Sequence, residues 1–195
     1  MQKITWEELI ESKKEKITLI WYGSLLNTDT HHSDHKIHPV IFYEFVRKYN
    51  LPCVPNNITP EWKKFAKNYL TRYGINCEKT FQEYLENNYH VLNCEYTGNK
   101  NHSVNGLAVE IHKEEFQNYA LREEKYHLYL TDYFDFNPQN GEIWKEKFPA
   151  YVLVAKPQET SHVWNIFPQY HQTTRQWAYN IWKMFWEYFD KTTQK

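Results

Sequence analysis

The chain has 195 residues, with 23 Lys and Arg against 24 Asp and Glu. A chain of this length buries roughly 70% of the surface its unfolded form exposes, so it folds without disulfides or metal, and one domain over residues 1–195 is expected. The balanced charge excludes nucleic acid as the main partner, because phosphate binding shows as an excess or stripe of Lys and Arg. No run of ~18 apolar residues could span a membrane, and residues 1–15 carry no apolar signal core, so a cytoplasmic protein is expected.

In chain order, Thr5-Trp6-Glu7-Glu8 forms a capping box, Thr5 at the N-cap and Glu8 three residues on. It predicts a short helix to about Lys14. Residues 17–22 (ITLIWY) are β-branched and apolar without polar alternation, which predicts a strand buried on both faces. Gly23-Ser24 ends it. Residues 39–46 read as a second strand, with Pro39 restricted to its start.

Residues 55–88 read as an inserted helical hairpin. Thr59-Pro60 sets an N-cap followed by proline, and Trp62, Phe65, Ala66, Tyr69, Leu70 and Tyr73 keep helical spacing. Gly74 is placed as a C-cap. Phe81, Tyr84 and Leu85 begin a second stripe from Lys79 to about Asn88. Strands are expected at 89–95, 104–111, 126–134 and 150–156, with a short helix carrying Phe116 and Tyr119. A last helix runs from about Thr173 to Asp190, apolar at Trp177, Ile181, Phe185 and Tyr188. The fold class is α+β, a small, partly closed mixed barrel with peripheral helices.

Cys53, Cys77 and Cys94 are widely spaced and form no CxxC pair, so they read as reduced thiols. Three segments could carry chemistry. Tyr22-Gly23-Ser24-Leu25-Leu26 runs a strand into a glycine turn, which can aim successive backbone N–H groups at an anion or oxyanion. Arg122-Glu123-Glu124-Lys125-Tyr126 holds two carboxylates between a helix and a strand; one held at an apolar mouth is suited to general acid and base work. His31, His32, Asp34, His35 and His38 are spaced for a metal on paper, but the i, i+3, i+6 positions drift around a helix, and a polar loop is the better reading. The aromatic and Lys residues of the last helix are one buried stripe, not a base-stacking surface, given the absence of net positive charge.

The order of these segments resembles the γ-glutamylcyclotransferase-like superfamily. The resemblance rests first on Tyr22-Gly23-Ser24-Leu25 after the first long strand, then on Val104-Asn105-Gly106-Leu107-Ala108 and on Arg122-Glu123-x-x-Tyr126 after a helix. Phe45 to Asn50, Ala150 to Val154 and Pro168-Gln169-Tyr170 agree with later parts of the pattern. The chain departs from it at Tyr119-Ala120, where the family often has Leu-Asp, and over 55–88.

The resemblance implies intramolecular aminolysis. The α-amine of a γ-glutamyl group attacks its own γ-carbonyl, giving 5-oxoproline and a free amine. It implies Glu123 as general acid and base, with Glu124 as the alternative, and substrate held by Tyr22, Gly23, Ser24, Leu25 and Tyr170. It implies a small-molecule partner, with no metal and no cofactor. The other reading is a non-catalytic module that binds a ligand or protein on the same fold.

Overall fold

The computed structural model describes residues 2–23, 26, 36–54, 58–71, 78–161 and 165–194. In chain order the elements are β1 (Lys3–Ile4), α1 (Trp6–Ile10), β2 (Lys16–Trp21), β3 (Ile37–Tyr43), β4 (Phe45–Pro52), α2 (Pro60–Thr71), α3 (Glu78–Asn87), β5 (His90–Tyr96), β6 (Ser103–His112), α4 (Phe116–Arg122), β7 (Tyr126–Phe136), β8 (Ile143–Ala155), α5 (Pro168–Ile181), α6 (Lys183–Thr192) and β9 (Thr193–Gln194). The architecture is α+β. The larger sheet has the order β1-β7-β3-β6-β2-β8, and a further β7–β8 pairing joins five of its strands into a ring of pairings. A smaller sheet, β5-β4-β9, stands beside it.

The capping box forms as the sequence predicts: Glu8 N–H donates to Thr5 Oγ1, and Thr5 N–H donates to the Glu8 carboxylate. The helix it opens is short, closing at Ile10 instead of Lys14. β2 lies between β6, antiparallel, and β8, parallel. A strand flanked on both edges and covered on both faces needs an apolar run, and Leu19, Ile20 and Trp21 are 0–1% exposed.

The predicted single strand over 39–46 is two strands in two sheets. Glu44 between them has φ 72°, a left-handed conformation that turns the chain from the larger sheet into the smaller one. Pro39 is the third residue of β3, not its first. β3 pairs with β6 along 37–43 but with β7 only from Val40, so the missing Pro39 N–H falls where β3 has one neighbour. The predicted strand over 150–156 extends back to Ile143 and forms a long antiparallel pair with β7.

The last predicted helix is also two. α5 opens earlier, with Pro168 at its first position, and ends at Ile181. Trp182, with φ 178° and ψ 155°, is extended and lets α6 start in a new direction. Both helices of the expected hairpin are present as α2 and α3, whereas Gly74 and Cys77 lie outside the described residues. Among the described residues no helix is long and apolar enough to cross a membrane.

Arg47 on β4 is 0% exposed, and no described carboxylate pairs with it. Its Nη2 donates to the carbonyl and to Oδ1 of Asn105, and its Nη1 to the carbonyl of Phe189 and to Thr193 Oγ1, both at 3.3 Å. Its guanidinium stands 4.1 Å from the centre of the Phe189 ring. The Phe189 carbonyl belongs to the last turn of α6, the negative end of that helix. Burial pulls the guanidinium pKa down to about 10, which still leaves it charged at neutral pH.

Gly106 on β6 decides how closely β2 is seated. A Cβ there would lie 2.5 Å from the Trp21 carbonyl oxygen and 2.8 Å from Ile20 Cγ2. The first obstacle is backbone held in the β2–β6 ladder, so it cannot step aside as a side-chain tip would. Gly106→Ala is expected to cost about 3 kcal/mol, the upper end of overpacking penalties, read as a lower denaturant midpoint. A midpoint equal to wild type would show that β2 can retreat.

Candidate active site

The site forms where β2 ends. Tyr22 and Gly23 leave the sheet there, and the Leu26 N–H closes a turn on the Gly23 carbonyl at 2.9 Å. Tyr22 is buried and its hydroxyl donates to the Leu153 carbonyl on β8 at 2.6 Å. Burial, first of all, pushes its pKa well above the ordinary tyrosine value, so it serves as a neutral donor and wall. Ser24 and Leu25, expected to supply further N–H groups, lie outside the described residues.

Glu123 arrives from another direction, as the C-cap of α4. Its N–H donates to the Tyr119 carbonyl at 2.8 Å, and its own carbonyl accepts from Tyr126 N–H at 3.0 Å, so both backbone groups are fixed. Its side chain is 12% exposed and accepts a 2.7 Å hydrogen bond at Oε1 from Arg122 Nε. Burial raises its pKa above the ordinary carboxylate value, while the Arg122 charge and hydrogen bond act against that rise. Glu124, one residue on, is exposed and lines a separate groove with Lys125, His127 and Lys156.

Tyr170 comes from the first turn of α5. It is 1% exposed, meets Tyr49 edge-on at 6.4 Å, and its hydroxyl would lie 3.0 Å from a Cβ at position 23. Glycine at 23 is therefore what lets this hydroxyl close over the strand end.

Tyr22, Gly23, Glu123 and Tyr170 line one cavity of about 40 Å³ together with Trp21, Leu92, Tyr126 and Leu153. Counted from the described walls, that volume has room for about three waters. Among the described residues Glu123 is the one carboxylate lining it, and the other described walls are aromatic, aliphatic or glycine. The sequence assigned no role to Leu92 or Leu153, which carry no local signal. Tyr126 entered only as the end of the Arg-Glu-x-x-Tyr spacing, yet its pKa is pushed upward by burial first and by the Glu123 charge next. Such a cavity can hold a small uncharged carbonyl group against strand-end N–H groups while a partly desolvated carboxylate exchanges a proton with it.

No described group of His, Cys, Asp or Glu is placed to hold a metal. Of the histidine-rich segment, His31, His32, Asp34 and His35 lie outside the described residues. His38, on β3, has its Nε2 3.1 Å from Asp135 Oδ1 and its ring against Tyr133. Cys53 and Cys94 are free, and burial pushes the Cys53 thiol up to about 12, which leaves it without nucleophilic character at neutral pH.

No protein-family model matches the sequence, and no curated protein is detectably similar to it. Solved structures are similar in fold. The uncharacterized protein loc79017 from Homo sapiens superposes with a TM-score of 0.57 over 93% of this chain and 90% of its own, at 11% identity. A gamma-glutamyl cyclotransferase gives a TM-score of 0.55 over 93% of this chain and 90% of its own, at 10% identity. YkqA from Bacillus subtilis gives 0.55 over 95% of this chain but 55% of its own, at 12% identity. The fold is that of the γ-glutamyl cyclotransferase-like proteins.

Proposed function

We propose that this chain is a γ-glutamyl cyclotransferase, with Glu123 as the group that moves the proton. The observation that carries the reading is the meeting of a largely buried glutamate, a glycine strand end and two tyrosines around one cavity, from positions 22, 23, 123 and 170.

The chemistry follows from the substrate. Near neutral pH the α-amine of a γ-glutamyl group is mostly ammonium and has no lone pair, so Glu123 takes a proton from it. The freed amine attacks the γ-carbonyl carbon of the same molecule, and the carbonyl electrons move onto oxygen. Backbone N–H groups at Gly23, Ser24 and Leu25 receive that oxyanion, a stabilisation of about 3–4 kcal/mol per donor in other enzymes. When the tetrahedral centre collapses, the bond to the leaving nitrogen breaks and Glu123 returns the proton to it, while the attacking nitrogen gives up its second proton, which the released amine takes on as it leaves as ammonium. The products are 5-oxoproline and a free amine.

Because nucleophile and carbonyl belong to one molecule, the protein need not supply a nucleophile. It must hold a flexible chain in its curled form, and the described cavity, walled by Tyr22, Tyr126 and Tyr170, has room for the reacting carbonyl of that chain. Purified protein incubated with γ-glutamyl-alanine, γ-glutamyl-ε-lysine and glutathione is expected to release 5-oxoproline from at least one, detected by mass spectrometry. Absence of product from all three, with no stabilisation by 5-oxoproline in a thermal shift, would overturn the proposal in favour of a non-catalytic binding module.

A further inference from the structure

Neighbouring side chains on a helix normally point apart, yet Arg122 and Glu123 are joined by a 2.7 Å bond. The reason is local. Glu123 leaves the helix with φ −109° and ψ 30°, which turns its side chain back toward that of Arg122. Arg122 is held in turn: its guanidinium lies 4.7 Å from the centre of the Tyr119 ring. Tyr119 is itself packed between Trp6 and Trp21, each with ring centroids 6.4 Å away. A rigid aromatic column thus carries a half-exposed guanidinium to the rim of the cavity, where it meets a carboxylate that is almost fully buried.

We propose that Arg122 is a positioning residue for Glu123: held on Tyr119, it fixes Oε1 and leaves Oε2 as the oxygen that takes and returns the proton. The inference rests on the cyclotransferase reading for its chemistry, but its geometry does not. Among the described residues Oε2 has no hydrogen-bond partner, and Arg122 is the one cation paired with this carboxylate. The other polar groups facing Glu123 are neutral: Tyr22 after β2, Tyr126 from β7 and Tyr170 from α5. Glu124 and Lys125 line the separate groove, where Lys125 reaches Glu159 at 4.0 Å. Burial and Arg122 act on the Glu123 pKa in opposite directions, with burial the larger. Arg122 therefore holds the carboxylate in its ionised, proton-accepting form without cancelling its desolvation.

The test is a carbon NMR titration of protein labelled at the glutamate carboxyl, with Glu123→Gln used to assign the resonance. Wild type is compared with Arg122→Gln and Arg122→Lys. The pKa of Glu123 is expected to rise by about one unit or more in Arg122→Gln. Arg122→Lys restores the charge without the planar fork or the stacking, so it should fall between. In turnover, the acidic limb of the pH profile should move up by the same amount. On the plateau kcat should drop roughly tenfold with KM nearly unchanged, as expected of a residue that acts on the proton-transferring group and not on bound substrate. An unchanged Glu123 pKa in Arg122→Gln overturns the proposal, whatever happens to kcat. The titration needs no substrate, so a wild type that forms no 5-oxoproline would overturn the cyclotransferase reading and leave the measured Arg122–Glu123 coupling standing.

Discussion

Glu123→Gln is expected to lose turnover by about 10²–10⁴-fold, the range contributed by a positioned acid and base, and to melt at a higher temperature than wild type. Glutamine keeps the shape and can still accept from Arg122, but it cannot take a proton from the substrate ammonium. The stability gain follows from the raised carboxyl pKa. A glutamate with a folded pKa above its unfolded value gives its full stabilisation below the unfolded pKa, and that stabilisation is lost as pH rises through the folded pKa. Above that window the buried carboxylate is a standing cost, which glutamine does not bear. The gap in melting temperature should open as pH rises above about 4.5 and close again in acid. Glu124→Gln, altering an exposed side chain, should leave both activity and melting temperature close to wild type. Retained turnover in Glu123→Gln together with loss in Glu124→Gln would move the catalytic role to Glu124.

The second large effect is structural. Arg47→Ala should cost about 4 kcal/mol, combining a large-to-small change in the core with the loss of partners for buried acceptors. In a chain of this size that corresponds to a fall of roughly 10 °C in melting temperature. Four acceptors lose a donor together: the Asn105 carbonyl and Oδ1, the Phe189 carbonyl and Thr193 Oγ1. Asn105 is also bonded through Nδ2 to the Phe185 carbonyl at 2.8 Å, so the hold on α6 is shared, and the damage should be confined to its docking. Arg47→Lys should recover only part of the loss, because one ammonium cannot reach both sides at once. A melting temperature within two degrees of wild type in Arg47→Ala would mean that these acceptors find other donors (about 1 kcal/mol or less by the same scaling).

What could be read from the sequence was local. The Thr5–Glu8 box, the doubly buried run ending at Trp21 and the proline that opens α5 each carry their cause within a few residues. Glu123 was singled out through the resemblance carried by Arg122, Glu123 and Tyr126, and the fold places it beside the cavity. The breaks at Glu44 and Trp182 were not, because neither residue favours a break. Glu44 adopts its positive φ where the chain passes between sheets, its N–H donating to the His102 carbonyl and its carbonyl accepting from Thr97 N–H across a sequence gap. Arg47 was invisible for the same reason. In the run Val46-Arg47-Lys48-Tyr49 it looks like one of two solvent-facing cations, and its acceptors lie 58 and 142 residues away. The aromatic column under Arg122 joins positions 6, 21 and 119, which only the tertiary fold brings together.

The ring of strand pairings has a kinetic consequence. β2 is made early in the chain, yet one of its neighbours is β8, and Tyr22 waits for a carbonyl 131 residues further on. Pairings of such separation must meet the entropy of closing long loops before any contact rewards them, which places folding in the millisecond-to-second range, not in microseconds. Tyr170 arrives later still, with α5. During synthesis the Tyr22–Gly23 strand end is therefore exposed and unpaired, at a stage when Trp21 and Ile20 have no cover. The cavity can assemble only once Tyr170 has been made, so its closed form is among the later features the nascent protein acquires.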